Sequence, residues 1–511
     1  GYAISHFIAN TTDTASGREI KIEQVYMKQN DKWFPQELNY DFIFRKYLGD
    51  AFTLQINGRS AIDSVLYTLG NFKFDKAYSV KLHDSVDLRS EVDWEKLRTD
   101  SITEKEKNTY RVIDSLAQEA KVEKLVAAFG QLTINRLPIG KIDIDLTRLL
   151  AFNSYESTRL GIGLYTNDKL SKYFSAGGWF GYGFGDKKMK GGASVTLIHK
   201  GNKDNWLRFF YNDDYRNTGN IHIHQNIDRE GYRNWLLTKV DRIKEFGITA
   251  HTQRGYWDIE LTGAKQKVTP WPGNIFLPAQ DVFNVREVNL GLRYAYSEKR
   301  VPVFGRYFST PSKYPVFYVR AGMGDIKADA YDVQYIRVLG AITFNKHVNR
   351  WGNDVFQLEA GLVHAFDDRP MSTSFLFGAK GFRREGINYF AWGGFLTMNS
   401  YDYYSDKYAS LLYKHEFDKF LWQTKFSKPF IGLSHNMMYG SLTRANKFAN
   451  PGTTAPVSGY HESGVMLNQL LQVNFAHVAY IYLNAGAFYH WTSSFNWQKN
   501  SVWVMGFSAG F

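Results

Sequence analysis

Cysteine is absent from the 511 residues, which excludes disulfides, thiolate metal ligands and cysteine nucleophiles together. Proline is scarce, 12 residues against 43 glycines, and no uninterrupted run of about 18 apolar residues occurs. That second absence excludes transmembrane helices. A stacked basic and aromatic motif is also missing: 62 Lys and Arg face 50 Asp and Glu, a formal charge of +12, but the basic residues are spread along strands and turns. Nucleic acid is therefore not expected as a partner, and the charge reads as a basic lumen or as contact with anionic lipid headgroups. No charged-then-apolar leader opens the chain at Gly1, so a removed signal peptide or a missing N-terminal part is expected.

What the chain has instead is aromatic residues, with 33 Tyr, 38 Phe and 13 Trp making 16% of it. In the segment from Ser501 to Phe511, Trp503, Met505, Phe507, Ala509 and Phe511 share one face of a strand, and Val502, Val504, Gly506, Ser508 and Gly510 share the other. A transmembrane barrel strand alternates between lipid and lumen in this way, with Tyr and Trp as interfacial girdles. The mean hydropathy of -0.38 does not oppose a membrane, because polar lumen and loop residues mask an apolar band in any average.

The alternation repeats from about Glu156 onward. Leu160, Ile162 and Leu164 face away from Arg159, Gly161 and Gly163; Val288, Leu290 and Leu292 face away from Asn289, Gly291 and Arg293. Phe317, Val319 and Ala321 oppose Tyr318, Arg320 and Gly322, which makes Arg159, Arg293 and Arg320 expected lumen-facing residues. About 16 segments have the required length, with 14 as the alternative and the doubtful members between Met371 and Tyr404. An open edge in hydrocarbon would leave backbone groups unpaired, so the sheet must close, with the last strand expected to pair with the first near Arg159.

The fold class is thus all-β, a transmembrane antiparallel β-barrel over 153–511. Residues 1–85 read as a periplasmic β meander, a fragment of a larger domain, with strands from Glu19 to Lys28 and from Leu38 to Arg45 around an Asn30-Asp31 turn. Residues 86–152 read as a linker with a helix over about 104–129, opened by a Thr103-Glu104-Lys105-Glu106 capping box and closed at Gly130.

Three groups of residues suggest chemistry. His222 and His224, with Asp213 and Asp214 upstream, have the composition of a metal site or of the acid and histidine parts of a protease. On a polar loop such a pair is expected to be solvated. Ser434-His435-Asn436 gathers the residue types of an outer-membrane phospholipase, but neighbours on a strand point to opposite faces, so Ser434 and His435 do not pair directly. Ala379-Lys380-Gly381-Phe382-Arg383 resembles the Arg-Gly-Phe tip by which barrel-assembly and two-partner-secretion proteins anchor a loop in their lumen. Lys380 replaces the forked Arg, so a simple turn is the expected reading.

The stretch Asn153-Ser154-Tyr155-Glu156-Ser157-Thr158-Arg159-Leu160-Gly161, followed by Tyr165-Thr166-Asn167, is similar to the opening of a Bacteroidota outer-membrane β-barrel family of unknown function. Further similarity lies in Trp94-Glu95-Lys96, Lys313-Tyr314-Pro315-Val316-Phe317 and Tyr404-Ser405-Asp406-Lys407-Tyr408. Ser157 stands where that family usually has Gly. The resemblance implies an upstream carboxypeptidase-regulatory-like domain and transfers no catalytic residue. The aromatic end, Trp503, Phe507 and Phe511, resembles the insertion signal read by the barrel-assembly machinery.

The expected function is that of a non-enzymatic outer-membrane barrel of a Gram-negative bacterium, acting in envelope transport, assembly or secretion within a complex. The expected partners are outer-membrane lipid or lipopolysaccharide, the barrel-assembly machinery, and periplasmic or outer-membrane proteins. No cofactor is expected. The alternatives are an outer-membrane hydrolase of protease or lipase type and an occluded structural scaffold.

Overall fold

The computed structural model describes residues 4–13, 18–45, 53–62, 65, 90–97, 102, 104, 107–112, 135–153, 155–219, 222–224, 239–277, 279–303, 306–310, 312–329, 331–383, 388–390, 392–400, 402–424, 426–475, 479–492 and 496–510. They divide between two units, one within residues 1–124 apart from 76–80, the other running from Leu125 onward.

The first unit carries an antiparallel meander of β1 (His6–Asp13), β2 (Arg18–Gln29), β3 (Lys32–Arg45) and β4 (Thr53–Ala61) in that order. Asn30 and Asp31 take φ of 49° and 60°, the left-handed pair that a two-residue hairpin needs and that Asn and Asp tolerate best after Gly. A short helix, α1 (Glu91–Leu97), starts on Ser90, whose hydroxyl accepts from Asp93 N while the Asp93 carboxylate accepts from Ser90 N. Of the helix expected over 104–129, only Glu104 and Lys107 to Val112 are described, and they are helical; the rest lies outside the described residues.

The second unit is a closed barrel. Its chain runs through β5 (Arg136–Ile139), β6 (Ile142–Asp145), β7 (Leu150–Asn153), β8 (Ser157–Thr166), β9 (Phe174–Gly183), β10 (Lys188–Ile198), β11 (Asn205–Asn217), β12 (Val240–Arg254), β13 (Trp257–Thr269) and β14 (Phe283–Ala295). A hairpin of β15 (Arg300–Val303) and β16 (Arg306–Ser309) precedes β17 (Val316–Ala328), β18 (Tyr331–Val348) and β19 (Gly352–Ala365). Five short strands follow: β20 (Phe377–Gly378), β21 (Gly381–Arg383), β22 (Asn388–Tyr389), β23 (Phe395–Asn399) and β24 (Tyr404–Ser405). The wall resumes with β25 (Lys407–Phe420), β26 (Phe430–Ser441), β27 (Tyr460–Phe475), β28 (Ala479–His490) and β29 (Ser501–Gly510).

Fifteen long strands (β8–β14, β17–β19 and β25–β29) pair antiparallel with their neighbours, and β6 with β7 supplies a sixteenth, broken one. Both β6 and β7 lie on the same edge of β8, separated by a 3-10 turn, Leu146–Arg148, that Asp145 caps through Thr147 N. The wall therefore begins upstream of Asn153, inside the segment expected as linker. Arg159 is flanked by Ala151 and Gly183, so the partner of its strand is β7 rather than the C-terminal strand. At the other end β29 pairs with β28, and at Val504 and Met505 it also pairs, in parallel, with β22.

Successive wall residues alternate between faces, as side chains on a pleated strand must. On β19, Gln357 and Glu359 are buried while Leu358 and Leu362 are exposed. Across the wall the exposed set is large and apolar, including Leu160, Phe180, Phe246, Val288, Met323 and Leu433, with Trp503 and Phe507 69% and 72% exposed. A continuous outward band of this kind is what hydrocarbon wets, so the barrel spans a membrane. The two longest connections, 218–239 and 366–406, lie at one end together with 442–459, whereas the other end holds short turns at 199–204, 255–256 and 349–351 beside one longer connection at 296–315; the end with the longest connections is taken as the outer one.

At the 154–156 turn Ser157 adopts φ of 60°. A left-handed non-glycine costs roughly 1–2 kcal/mol, so Ser157→Gly is expected to raise the urea midpoint of the folded barrel and Ser157→Val to lower it. Equal midpoints for all three would show that the turn imposes no backbone demand.

Candidate functional site

The interior is filled from the outer end by the connection between β19 and β25. Met371, Phe375, Leu376, Phe377, Ala379, Phe395 and Met398 from this segment are each at most 5% exposed and join the wall residues Phe283, Ile326, Tyr335 and Leu339 in one apolar cluster. Phe375 meets Phe283 edge to face at 5.2 Å, and Phe377 meets Tyr408 at 5.1 Å. The doubtful strands between Met371 and Tyr404 are thus lumen filling rather than wall. Their irregular backbone is tolerated at membrane depth because protein, not lipid, surrounds it.

Two wall carboxylates hold the segment. Lys380 Nζ lies 3.3 Å from Glu359 Oε2, with both side chains less than a tenth exposed, and Glu359 is oriented by Gln357, whose Nε2 donates at 2.6 Å. The Ala379–Arg383 segment, expected as a simple turn, is therefore inserted among buried residues, with the Lys380 ammonium held by the buried Glu359 carboxylate. Glu462, 0% exposed, accepts from Leu396 N at 3.0 Å, Thr397 N at 2.9 Å, Thr397 Oγ1 at 2.6 Å and Asn436 Nδ2 at 2.8 Å. Four donors on one carboxylate fix β23 against β26 and β27. Asn446 and Asn450 accept from Met371 N and Thr373 N, and Phe390 N donates to Met505 O at 2.7 Å. Attachment thus extends from β17–β19 to the last strand.

Two further described pieces, 218–219 and 222–224, lie inside as well, with Gly378 N donating to Gly219 O. Ile223 is 2% exposed in the same apolar cluster. His222 lines a polar cavity of about 320 Å3 together with Arg216, Arg320, Arg337, Glu245 and Glu287. His224 sits 3.7 Å from Asp258, which His251 also approaches at 2.9 Å. Neither histidine is solvated as a free loop residue would be, and no group of three or more metal-ligating side chains forms among the described residues. Asp213 faces outward to Arg242 at 2.8 Å, whereas Asp214 faces inward to Arg148 and Arg159. The four residues of the suggested hydrolase site are therefore dispersed.

Ser434 and Asn436 point inward, 8% and 4% exposed, and Ser434 Oγ donates to Tyr413 O. His435 points outward and bonds Ser463 at 2.8 Å through Nδ1. No carboxylate or amide bonds its other ring nitrogen among the described residues, so the orienting third member of a hydrolytic triad is missing.

Inside the barrel beside the broken strand, Asn153 closes the 154–156 turn: its Oδ1 accepts from Tyr155 N and Glu156 N while Nδ2 donates to Glu156 at 2.7 Å. Glu156 meets Lys190 at 2.5 Å and Arg159 at 3.7 Å, and Arg159 meets Asp214 at 2.7 Å and stacks on Trp179. At the next turn burial pushes the Asp186 carboxyl up, but hydrogen bonds from Lys190 and Tyr215 outweigh it and hold the group below its usual range. This network explains the Asn-x-x-Glu-x-x-Arg spacing. Arg293 faces inward to Glu298 at 2.5 Å and Arg320 to Glu260 at 3.5 Å. Trp503 and Phe507 face outward; Phe511 lies outside the described residues.

Taken together, the wall and its contents define a transmembrane β-barrel whose lumen holds packed segments of its own outer connections. No family model and no curated protein matches the chain. Among solved structures it is similar to CdiB from Acinetobacter baumannii, with a TM-score of 0.34 and 9% identity over 70% of this chain and 58% of that chain. It is also similar to CdiB from Escherichia coli, with a TM-score of 0.37 and 10% identity over 73% and 64%. The chain spans less than two thirds of the length of either, and nothing about function rests on a likeness of that size.

Proposed function

We propose that this chain is a non-enzymatic barrel of a Gram-negative outer membrane that acts in transport, assembly or secretion of polypeptides. Its resting lumen is closed by 366–406, and the N-terminal meander faces the periplasm to meet a partner protein. The observation that carries this reading is the clamp on the plug. A permanent filling needs only apolar packing, whereas a buried ionic contact such as Lys380 to Glu359 is costly to desolvate and is best used to specify one seated position. The resemblance to the Bacteroidota family and its upstream regulatory-like domain belongs to the same proposal.

Planar-bilayer recording tests it. The intact barrel is expected to be nearly silent, and deletion of the segment between Met371 and Asp402 to give a stable conductance. Crosslinking in cells is expected to recover a periplasmic or outer-membrane protein through the meander. Recovery of no partner, together with a barrel that stays silent after the deletion, would leave the occluded scaffold as the function.

A further inference from the structure

The outer face of β9 to β17 carries two features that meet at one level. An open apolar groove of about 590 Å3 is lined by Val195, Phe209, Tyr211, Phe246, Ile248 and Gly263. These residues all lie on the lipid side, since the register sets Val195 beside Phe209, Phe209 beside Ile248, and Ile248 beside Gly263. Directly toward the outer end, the next outward positions are charged. Lys265 pairs with Phe246 and borders the groove; Arg286 pairs with Lys265; Lys244 and Lys267 pair with each other one step further out, and Arg242 and Lys327 complete the band.

The charges do not balance. Asp213 accepts Arg242 at 2.8 Å and Lys244 at 3.4 Å, Asp325 takes Arg286 at 2.9 Å, and Asp332 takes Lys327 at 3.3 Å. Lys265 and Lys267 are exposed and have no acidic partner among the described residues. Two residues apart on one strand face, their Cα atoms are about 7 Å apart along the strand. Cations without an acidic partner at the outer edge of an apolar groove match an amphiphile with phosphate at one end.

We propose that this face binds one phosphate-bearing lipid of the outer leaflet, its phosphate on Lys265 and Lys267 and an acyl chain in the groove against Phe246 and Gly263. The site rests on the outer-membrane reading proposed above and on the orientation of the barrel, but not on what the lumen does.

Lipid A is the probe, mixed with the purified full chain in a zwitterionic detergent and counted by native mass spectrometry. One retained lipid A is expected. Each lysine at such a surface is worth roughly fivefold, so Lys265→Gln with Lys267→Gln together are expected to weaken retention about 25-fold. A Cβ at Gly263 meets nothing within 4 Å, so Gly263→Leu fills the groove without an internal clash and is expected to lower retention with every charge intact. Heat-dependent electrophoretic mobility confirms folding, and if Gly263→Leu does not fold, the exposed lysine pair decides alone. Unchanged retention in the lysine pair would overturn the proposal. So would complete displacement of lipid A by inorganic phosphate, which would make the lysines a simple anion site.

Discussion

Lys380→Met is expected to unseat the plug. The substitution keeps the length of the side chain but leaves Glu359 as a buried, uncompensated carboxylate, a loss of about 3–5 kcal/mol where one partner of a buried ion pair is removed. Because the segment is also held by Glu462 and by apolar packing, the barrel wall should persist while the segment becomes mobile. In bilayers this reads as frequent openings, and in cells as sensitivity to large antibiotics. Lys380→Arg should restore closure, since a guanidinium satisfies the same carboxylate. Lys380→Met combined with Glu359→Met should recover most of the loss, because replacing both members of a buried pair is often neutral. If the single and double variants behave alike, the pair does not couple and the anchoring role of Lys380 fails.

Glu462→Ala is expected to be the most damaging single change at the other clamp. It strands two backbone N–H groups and an asparagine amide in a site with no exposure, at roughly 1–3 kcal/mol for each buried donor left unmade, while the Thr397 hydroxyl keeps its bond to Tyr460. Glu462→Gln retains one acceptor oxygen but turns an amide toward donors, so it should fall between Ala and the native residue. Limited trypsin treatment of whole cells checks the location of the effect. Arg383 and Lys380 should be cut in Glu462→Ala and protected in the native barrel. Protection in both would show that β23 stays in place without its carboxylate.

How much of this was legible beforehand depends on period. Wherever one face met lipid, as at Leu160, Val288 or Val319, a two-residue alternation identified the strand and the inward arginine beside it. The broken strand was not legible, because Asp145 and the Leu146–Arg148 turn interrupt the alternation between Ile142 and Asn153. The plug was left doubtful because its buried residues mix apolar side chains such as Phe375, Leu376 and Phe377 with polar ones such as Ser372, Thr373 and Thr397 in no regular period, and because Lys380 lacks the fork that a bidentate anchor uses. Its compensation, Glu359, lies on a wall strand, and Glu462 is distant in sequence from the Leu396 and Thr397 amides it holds. No local spacing encodes such pairings. The reading of His222 and His224 as solvated failed for the same reason: a polar loop that folds inward looks like one that does not.

The parallel contact of β22 with β29 has a bearing on the order in which the molecule is made. Phe390 emerges from synthesis well before Met505, yet the two share a backbone hydrogen bond, so the plug waits, already positioned by β17–β19, for a final strand to arrive over it. Ring closure itself sets β29 beside β5, a pairing of still greater sequence separation, so both the closing of the wall and the contact of β22 with β29 await the last strand and are slow compared with the formation of the hairpins before them. The filling of the lumen and the completion of its wall therefore share one dependence, on residues 501–510.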